Sequence, residues 1–164
     1  MIAFAPELRA LAEAVLDRCR DAGLLVATAE SCTGGLVAAC LTEIAGSSAV
    51  VERGFVVYAN TAKIDLLSVD PATLERHGAV SEQTAGQMLA GALAHSPADL
   101  VVAITGIAGP GGGSADKPVG LVFIAVQRRG QVSLVERHVF AGDRADVREA
   151  SLRRALELLR AAAD

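Results

Sequence analysis

The sequence predicts a three-layer α/β/α sandwich around a mostly parallel mixed sheet, completed by a C-terminal β-hairpin and helix. Two continuous apolar runs, Leu24–Thr28 and Leu100–Thr105, lack the alternation of a half-exposed strand and read as strands buried on both faces. Apolar residues around them recur at helical spacing. Near the end, two strand-like runs flank the turn Arg128-Arg129-Gly130-Gln131.

Leu8, Leu11, Ala12, Val15, Leu16 and Cys19 mark one face of a first helix, and Gly23 supplies a C′ residue after Arg20-Asp21. The strand that follows stops at Glu30. Leu36 to Ile44 is apolar nearly all round, so it predicts a buried helix starting near Thr33 and stopped by Gly46. Val50–Tyr58 reads as a strand region broken by Glu52-Arg53-Gly54. Asn60 is placed to cap a helix carrying Ile64, Leu66 and Leu67. Asp70-Pro71 starts a short helix, and Ser81 caps a longer one with Ala85, Met88, Leu89, Ala92 and Leu93 on its apolar face. Val119–Val126 and Val132–Phe140 form the hairpin. Asp143 caps the last helix, whose buried stripe is Leu152, Leu156 and Leu159.

The 164 residues amount to one domain, 1–164, large enough to bury a full core. Hydrophobic residues make up 52%, yet no apolar run approaches the roughly 18 residues of a membrane span. Pro6 and Glu7 near the N-terminus, without a basic leader, do not read as a secretory signal, and a cytoplasmic location is expected. Cys19, Cys32 and Cys40 are odd in number and contain no CxxC pair; His77, His95 and His138 show no ligand spacing. Neither disulfides, a metal centre nor a cofactor is expected. A net charge of -4, 3% aromatic residues and no tryptophan argue against a nucleic-acid surface, leaving local basic sites for a small anion.

The stretch with most chemical promise is Ala29-Glu30-Ser31-Cys32-Thr33-Gly34-Gly35, which joins a strand end to a helix start. It leaves the Ser31 hydroxyl at the rim of the sheet, facing the unpaired N–H groups of the helix's first turn, and Gly34 and Gly35 let a substrate oxygen approach the backbone. The plainer reading is that Thr33 is an N-cap and the glycines serve strand–helix packing. Of 15 basic residues only Lys63 and Lys117 are lysines, which marks them for work arginine cannot do, such as losing a proton. Lys63 is predicted at the third position of its helix, where the macrodipole disfavours the protonated form. Tyr58, the only tyrosine, lies five residues earlier.

Residues Gly106 to Ser114 place many glycines at the C-terminal end of a buried strand, the usual ligand position in an open α/β sheet. No Gly-Lys-[Ser/Thr] completes a Walker loop, and the alternative is a flexible linker. Counting back by fours from Leu152 puts Arg148 and Arg144 on the inward face of the last helix's first turns. They could hold a phosphate or pair with carboxylates.

With these blocks in order, the chain resembles the CinA C-terminal domain family, the nicotinamide-nucleotide amidohydrolases. The resemblance rests on AESCTGG at 29–35, Val57-Tyr58-Ala59-Asn60 with Lys63, Gly78-Ala79-Val80-Ser81, Thr105 to Pro110 with Lys117-Pro118-Val119-Gly120, and Gly142-Asp143-Arg144. It spans essentially the whole chain. Ser68 and Leu121 depart from residues the family often has, Gly and Thr.

The resemblance implies hydrolysis of the carboxamide of nicotinamide mononucleotide to nicotinic acid mononucleotide and ammonia. By that analogy Ser31 is the nucleophile, and Lys63 and Tyr58 are base and proton relay. Glu30, Thr33, Gly34, Gly35, Asn60, Thr105, Gly106, Gly109, Gly111 and Arg144 are expected around the nucleotide, with main-chain N–H groups of Thr33 to Gly35 as the oxyanion hole. The competing readings are a non-catalytic nucleotide-binding module and an amidase for another amide-bearing nucleotide. The apolar helix after Ser31 suggests a homo-oligomer, a dimer.

Overall fold

In the computed structural model, which describes residues 4–164, five strands form a sheet: β1 (Val26–Glu30), β2 (Val51–Val56), β3 (Leu100–Gly106), β4 (Leu121–Arg128) and β5 (Leu134–Val139). Their order is β2-β1-β3-β4-β5. β2, β1 and β3 are parallel neighbours, whereas β4 is antiparallel to both β3 and β5. Only β4 opposes the common direction. This is the mixed, mostly parallel sheet that the unalternating runs predict, with β1 and β3 in its buried centre.

Helices α1 (Pro6–Asp21), α2 (Leu36–Thr42) and α6 (Arg144–Ala162) cover one face, packing on Val26, Val102, Ile104 and Ile124. Helices α3 (Asn60–Leu67), α4 (Pro71–His77) and α5 (Glu82–Ala94) cover the other, over Ala27, Ala29, Val101, Ala103 and Ala125. Leu16, Leu41, Leu152 and Leu156 are fully buried in the first layer, each worth about 1.5–3 kcal/mol. On the second face the small sheet residues leave room for α5. There Gly91 meets the C-terminal end of α3 so closely that a Cβ would overlap the Leu67 carbonyl.

Several boundaries differ from expectation, each for a local reason. α2 ends at Thr42, before Ile44, with the Thr42 hydroxyl donating back to the carbonyls of Ala38 and Ala39; Gly46 instead precedes the one-turn helix Ser47–Ala49. Leu36, Ala38 and Ala39 are half-exposed, so α2 is not buried all round. β2 is continuous: Val26 pairs with Val51 and Ala27 with Arg53, so Glu52 is bulged out and the strand carries on. An edge strand tolerates those polar residues. Ala59 takes the N-cap position of α3, which moves Asn60 into the first turn and makes Lys63 its fourth residue.

The first arm of the hairpin is shifted toward the C-terminus, and the second is shortened at both ends. β4 continues to Arg128, which pairs with Leu100, and β5 starts at Leu134. The next residue, Arg129, is pinned by its guanidinium to the carbonyls of Leu93, Ser96 and Ala98. Because β3 and β4 are antiparallel neighbours, no helical crossover is needed between them. Residues 107–120 are free to fold as a loop over the C-terminal end of β3. The loop is fastened: Ser114 N–H donates to Lys117 O at 2.7 Å, and Lys117 Nζ donates to His77 O at the end of α4. It is not a flexible linker. No helix among the described residues is long and apolar enough to cross a membrane.

Candidate active site

Side chains alternate across a strand, so Glu30 and Ser31 leave β1 on opposite faces. Glu30 goes to the α2 side. It is fully buried, and its carboxylate accepts the N–H groups of Gly35 (3.0 Å), Val37 (3.1 Å) and Ala38 (2.9 Å). Gly35, the N-cap residue, has no side chain to offer, and Glu30 does that work from five residues upstream. Glu30 therefore shapes the turn beneath the cleft and does not face it, contrary to the expected substrate contact. An acid next to a side-chain-free helix start was the available sequence signal. Thr33 is likewise fully buried and lies two residues before the N-cap, so it does not cap α2.

This arrangement has a measurable consequence. Glu30→Gln keeps the shape but turns an amide NH2 toward backbone donors, leaving at least one N–H unpaired. It is expected to lower stability by about 1–3 kcal/mol in chemical denaturation, and to reduce kcat more than it raises KM. Unchanged stability would show that the three N–H groups find other partners.

Ser31 goes to the other face, where α3 brings in Lys63. Lys63 is 1% exposed, and its Nζ lies 3.0 Å from Ser31 Oγ, 2.9 Å from Val57 O and 3.3 Å from Tyr58 O. Carbonyls only accept, so they take two N–H bonds. The third partner suits either state: an ammonium would donate a third proton to the hydroxyl, whereas a neutral amine would accept the hydroxyl's own. Burial favours the neutral amine, since it pushes Lys63 below its usual 10.5, and among the described residues no carboxylate pairs with it. The result is an alcohol held against an amine inclined to be a base. Cys32, next in the chain, does not compete as nucleophile, because burial raises its thiol to about 11.

Ser31 and Lys63 open into a cleft of ≈ 270 Å³ at the C-terminal ends of β1 and β3. Of the expected residues, Tyr58, Thr105, Gly106, Gly109, Gly111 and Arg144 also line it; Glu30, Thr33, Gly34, Gly35 and Asn60 do not. Ala79 and Val80, absent from the expected site residues, form a further wall; they contribute only backbone and small apolar surface, which carries no chemical signal in the sequence. The expected oxyanion donors shift as well. Gly34 N–H is bonded to Ser31 O and Gly35 N–H to Glu30, so those two are occupied. The N–H groups of Cys32 and Thr33 donate to no oxygen among the described residues, and Cys32 lines the cleft.

Tyr58 stands apart from the amine. Its side chain is on the rim, 60% exposed as a residue, with its hydroxyl accepting from Arg144 at 3.1 Å; only its carbonyl touches Lys63. Lys63 reaches Ser31 directly, and a relay through the Tyr58 phenol has no hydrogen bond to run along. Arg144 also donates to Gly109 O at 2.9 Å, bridging the cleft mouth from α6 to the glycine loop. Arg148, one turn on, leads elsewhere: its guanidinium donates to Thr33 O at 3.0 Å, behind the turn that follows Ser31. Of the two arginines only Arg144 lines the cleft. A larger groove of ≈ 480 Å³ between Phe140 and α6 offers no comparable chemistry, since its Arg153 and Arg154 are ion-paired with Glu149, Glu136 and Glu157.

Known proteins agree with this architecture. Over 153 residues the chain is 48% identical to the nicotinamide-nucleotide amidohydrolase PncC of Escherichia coli, covering 93% of each. It is 55% identical over 141 residues to a CinA-like protein of Mycolicibacterium vanbaalenii, a longer protein of which it spans 33%. Among solved structures, competence/damage inducible protein CihA from Agrobacterium tumefaciens superposes with a TM-score of 0.97 at 52% identity over all of both chains. The model of the CinA C-terminal domain matches residues 8–163, and with these relatives it establishes that the chain belongs to the CinA C-terminal domain family.

Proposed function

We propose that this protein is an amidohydrolase that cleaves the carboxamide of nicotinamide mononucleotide, giving nicotinic acid mononucleotide and ammonia. The observation that carries the reading is the Lys63–Ser31 contact of 3.0 Å, a buried amine without a counter-ion among the described residues, held against an alcohol at the mouth of the sheet. The name of the Escherichia coli relative supplies the substrate class. Serine needs a base before it attacks an amide, and a buried lysine whose pKa is drawn down can be that base near neutral pH.

In this mechanism Lys63 takes the Ser31 proton as Oγ adds to the carboxamide carbon. The developing oxyanion turns toward the N–H group of Cys32, which lines the cleft, a kind of contact whose loss typically costs about a hundredfold or more. Lys63 then returns the proton to the departing nitrogen, ammonia leaves, and water activated by the same amine cleaves the acyl-serine. Tyr58 and Arg144 form the outer rim, where the nucleotide's phosphate meets the guanidinium.

Ammonia release from nicotinamide mononucleotide, nicotinamide riboside, nicotinamide and NAD tests the reading; nucleotide binding without ammonia from any of them would favour a non-catalytic module. Arg144→Ala tests the phosphate assignment. It is expected to lower kcat/KM for the mononucleotide by roughly tenfold to a hundredfold while sparing free nicotinamide. Equal losses on both would mean that Arg144 only braces Tyr58 and Gly109.

A further inference from the structure

Arg148 carries a charge that neither the cleft nor an acidic partner accounts for. It rises from the second turn of α6, in the layer opposite Lys63, and is half-buried there. Its Nη2 donates to Thr33 O at 3.0 Å, its Nε is buried without a hydrogen-bond partner, and among the described residues no carboxylate pairs with the guanidinium. The same Nη2 stands against the turn itself, 3.7 Å from where a Cβ on Gly34 would lie. A guanidinium more often ends on a carboxylate or a phosphate. Here its charge is directed at one peptide carbonyl.

That carbonyl begins a short series of peptides. The Thr33 C=O and the Gly34 N–H belong to one peptide group, and this N–H donates to Ser31 O at 3.0 Å. The Ser31 C=O in turn shares its peptide with the Cys32 N–H, which donates to no oxygen among the described residues and belongs to a residue lining the cleft. Hydrogen bonds in series polarise one another. A cation on the first carbonyl makes the Gly34 N–H a stronger donor, which draws electron density toward the Ser31 oxygen and leaves the Cys32 N–H more positive. The two bonds also fix the tilt of that last peptide. Glu30 holds the far end of the turn, through the N–H groups of Gly35, Val37 and Ala38.

We propose that Arg148 is a positioning residue that acts through Thr33 O and Ser31 O to aim and polarise the Cys32 N–H on which the oxyanion forms. The inference rests on the amidohydrolase reading and assigns the source of that donor's strength. The carboxamide oxygen gains its full negative charge only as Ser31 adds to the carbon, so a stronger N–H dipole helps the transition state more than the bound substrate. In this role Arg148 meets neither the pyridine nor the phosphate. Its loss is therefore read in kcat, in contrast to the loss of Arg144 at the rim.

The test compares nicotinamide mononucleotide with its thioamide analogue, in which sulfur replaces the carboxamide oxygen, on wild type, Arg148→Met and Arg148→Lys. Both substrates break the same C–N bond and release ammonia, but sulfur is a weak hydrogen-bond acceptor and draws less on the Cys32 N–H. Arg148→Met is expected to lower kcat for the amide about tenfold, part of the roughly hundredfold that loss of a whole oxyanion donor costs, with KM nearly unchanged. The amide-to-thioamide ratio of kcat/KM, taken within one preparation so that unfolded protein cancels, is expected to fall several-fold in Arg148→Met. Arg148→Lys, which keeps the positive charge, is expected to recover part of it. A ratio unmoved in Arg148→Met overturns the proposal and leaves Arg148 as a brace between α6 and the turn. So does a kcat that holds while KM for the mononucleotide rises, which would put the phosphate on this guanidinium. If Arg148→Met does not fold, Arg148→Gln, neutral but still a donor, is read by the same ratio. A wild type that releases ammonia from neither substrate sinks the hydrolase reading, and this inference with it, which is a different result from an active enzyme with an unmoved ratio.

Discussion

Ser31→Ala is expected to yield a folded protein that has lost on the order of 10⁴-fold or more in kcat, as removal of a catalytic nucleophile does elsewhere. Folding should survive because the change deletes one oxygen from a residue already at the edge of the core, 8% exposed, and leaves Lys63 its two carbonyl partners. Binding of the nucleotide should persist too, since the rim of Tyr58 and Arg144 is untouched. Near-normal turnover would remove Ser31 from the chemistry. To separate an acyl-serine from a serine that merely positions water, single-turnover reactions of the wild type can be quenched and read by mass spectrometry. An adduct on the peptide carrying Ser31 supports the covalent route, and its absence while product forms counts against it.

The second large effect concerns Lys63 and shows up in two independent measurements. Lys63→Arg retains a cation that cannot act as a base at neutral pH, and Lys63→Met fills the space with a group of similar length and no proton to exchange. Both are expected to abolish turnover; retained activity in either excludes Lys63 as base. The acid limb of the wild-type kcat/KM profile should fall below 10.5, because burial lowers the native pKa from that value and, in the proposed mechanism, the neutral form is the active one.

Stability gives the second measurement, and its sign follows from linkage. The native pKa of Lys63 is depressed relative to the unfolded chain, so between the two values the unfolded state binds more protons and wild-type stability rises with pH. The cost of keeping a neutral amine is absent above about 10.5 and grows as pH falls, by at most about 1.4 kcal/mol per pH unit, until the native pKa is reached. Methionine has no such dependence. The stability of Lys63→Met minus that of wild type should therefore increase as pH is lowered from 10 toward neutral. A difference that stays flat over this range would mean that Lys63 has an ordinary pKa, and would remove the physical basis of its proposed role.

How much of this was legible in the amino acids depends on the range of the force involved. The central strands were readable because burial on both faces writes an unbroken apolar run, as in Leu100 to Thr105. The helices on their faces were readable from periodicity, and the Asp143 cap from residue type; the reciprocal bond with Asp146 is seen only in the structure. Ser31 and Lys63 were singled out by local context and by the rarity of lysine in an arginine-rich chain. What sequence order did not give was direction. Glu30 and Ser31 are neighbours yet point to different layers, and Arg144 and Arg148 share a helical face yet end on different partners, Gly109 and Thr33. The Tyr58 phenol was placed near Lys63 by proximity along the chain, whereas an arginine more than 80 residues away holds it. Those outcomes depend on which surfaces tertiary packing brings opposite each side chain, and no nearest-neighbour pattern encodes them.

The alternation that parts Glu30 from Ser31 makes the length of β1 as consequential as its composition. Deleting or inserting a single residue between the centre of that strand and position 31 would exchange the two: the acid would swing into the chamber beside an amine and neutralise it as an ion pair, while the alcohol would be left among helix termini it cannot satisfy. Many individual exchanges along β1 can be absorbed by repacking; a change of parity cannot. Descendants of this gene are accordingly expected to vary in the identity of the strand's small residues long before they vary in their number.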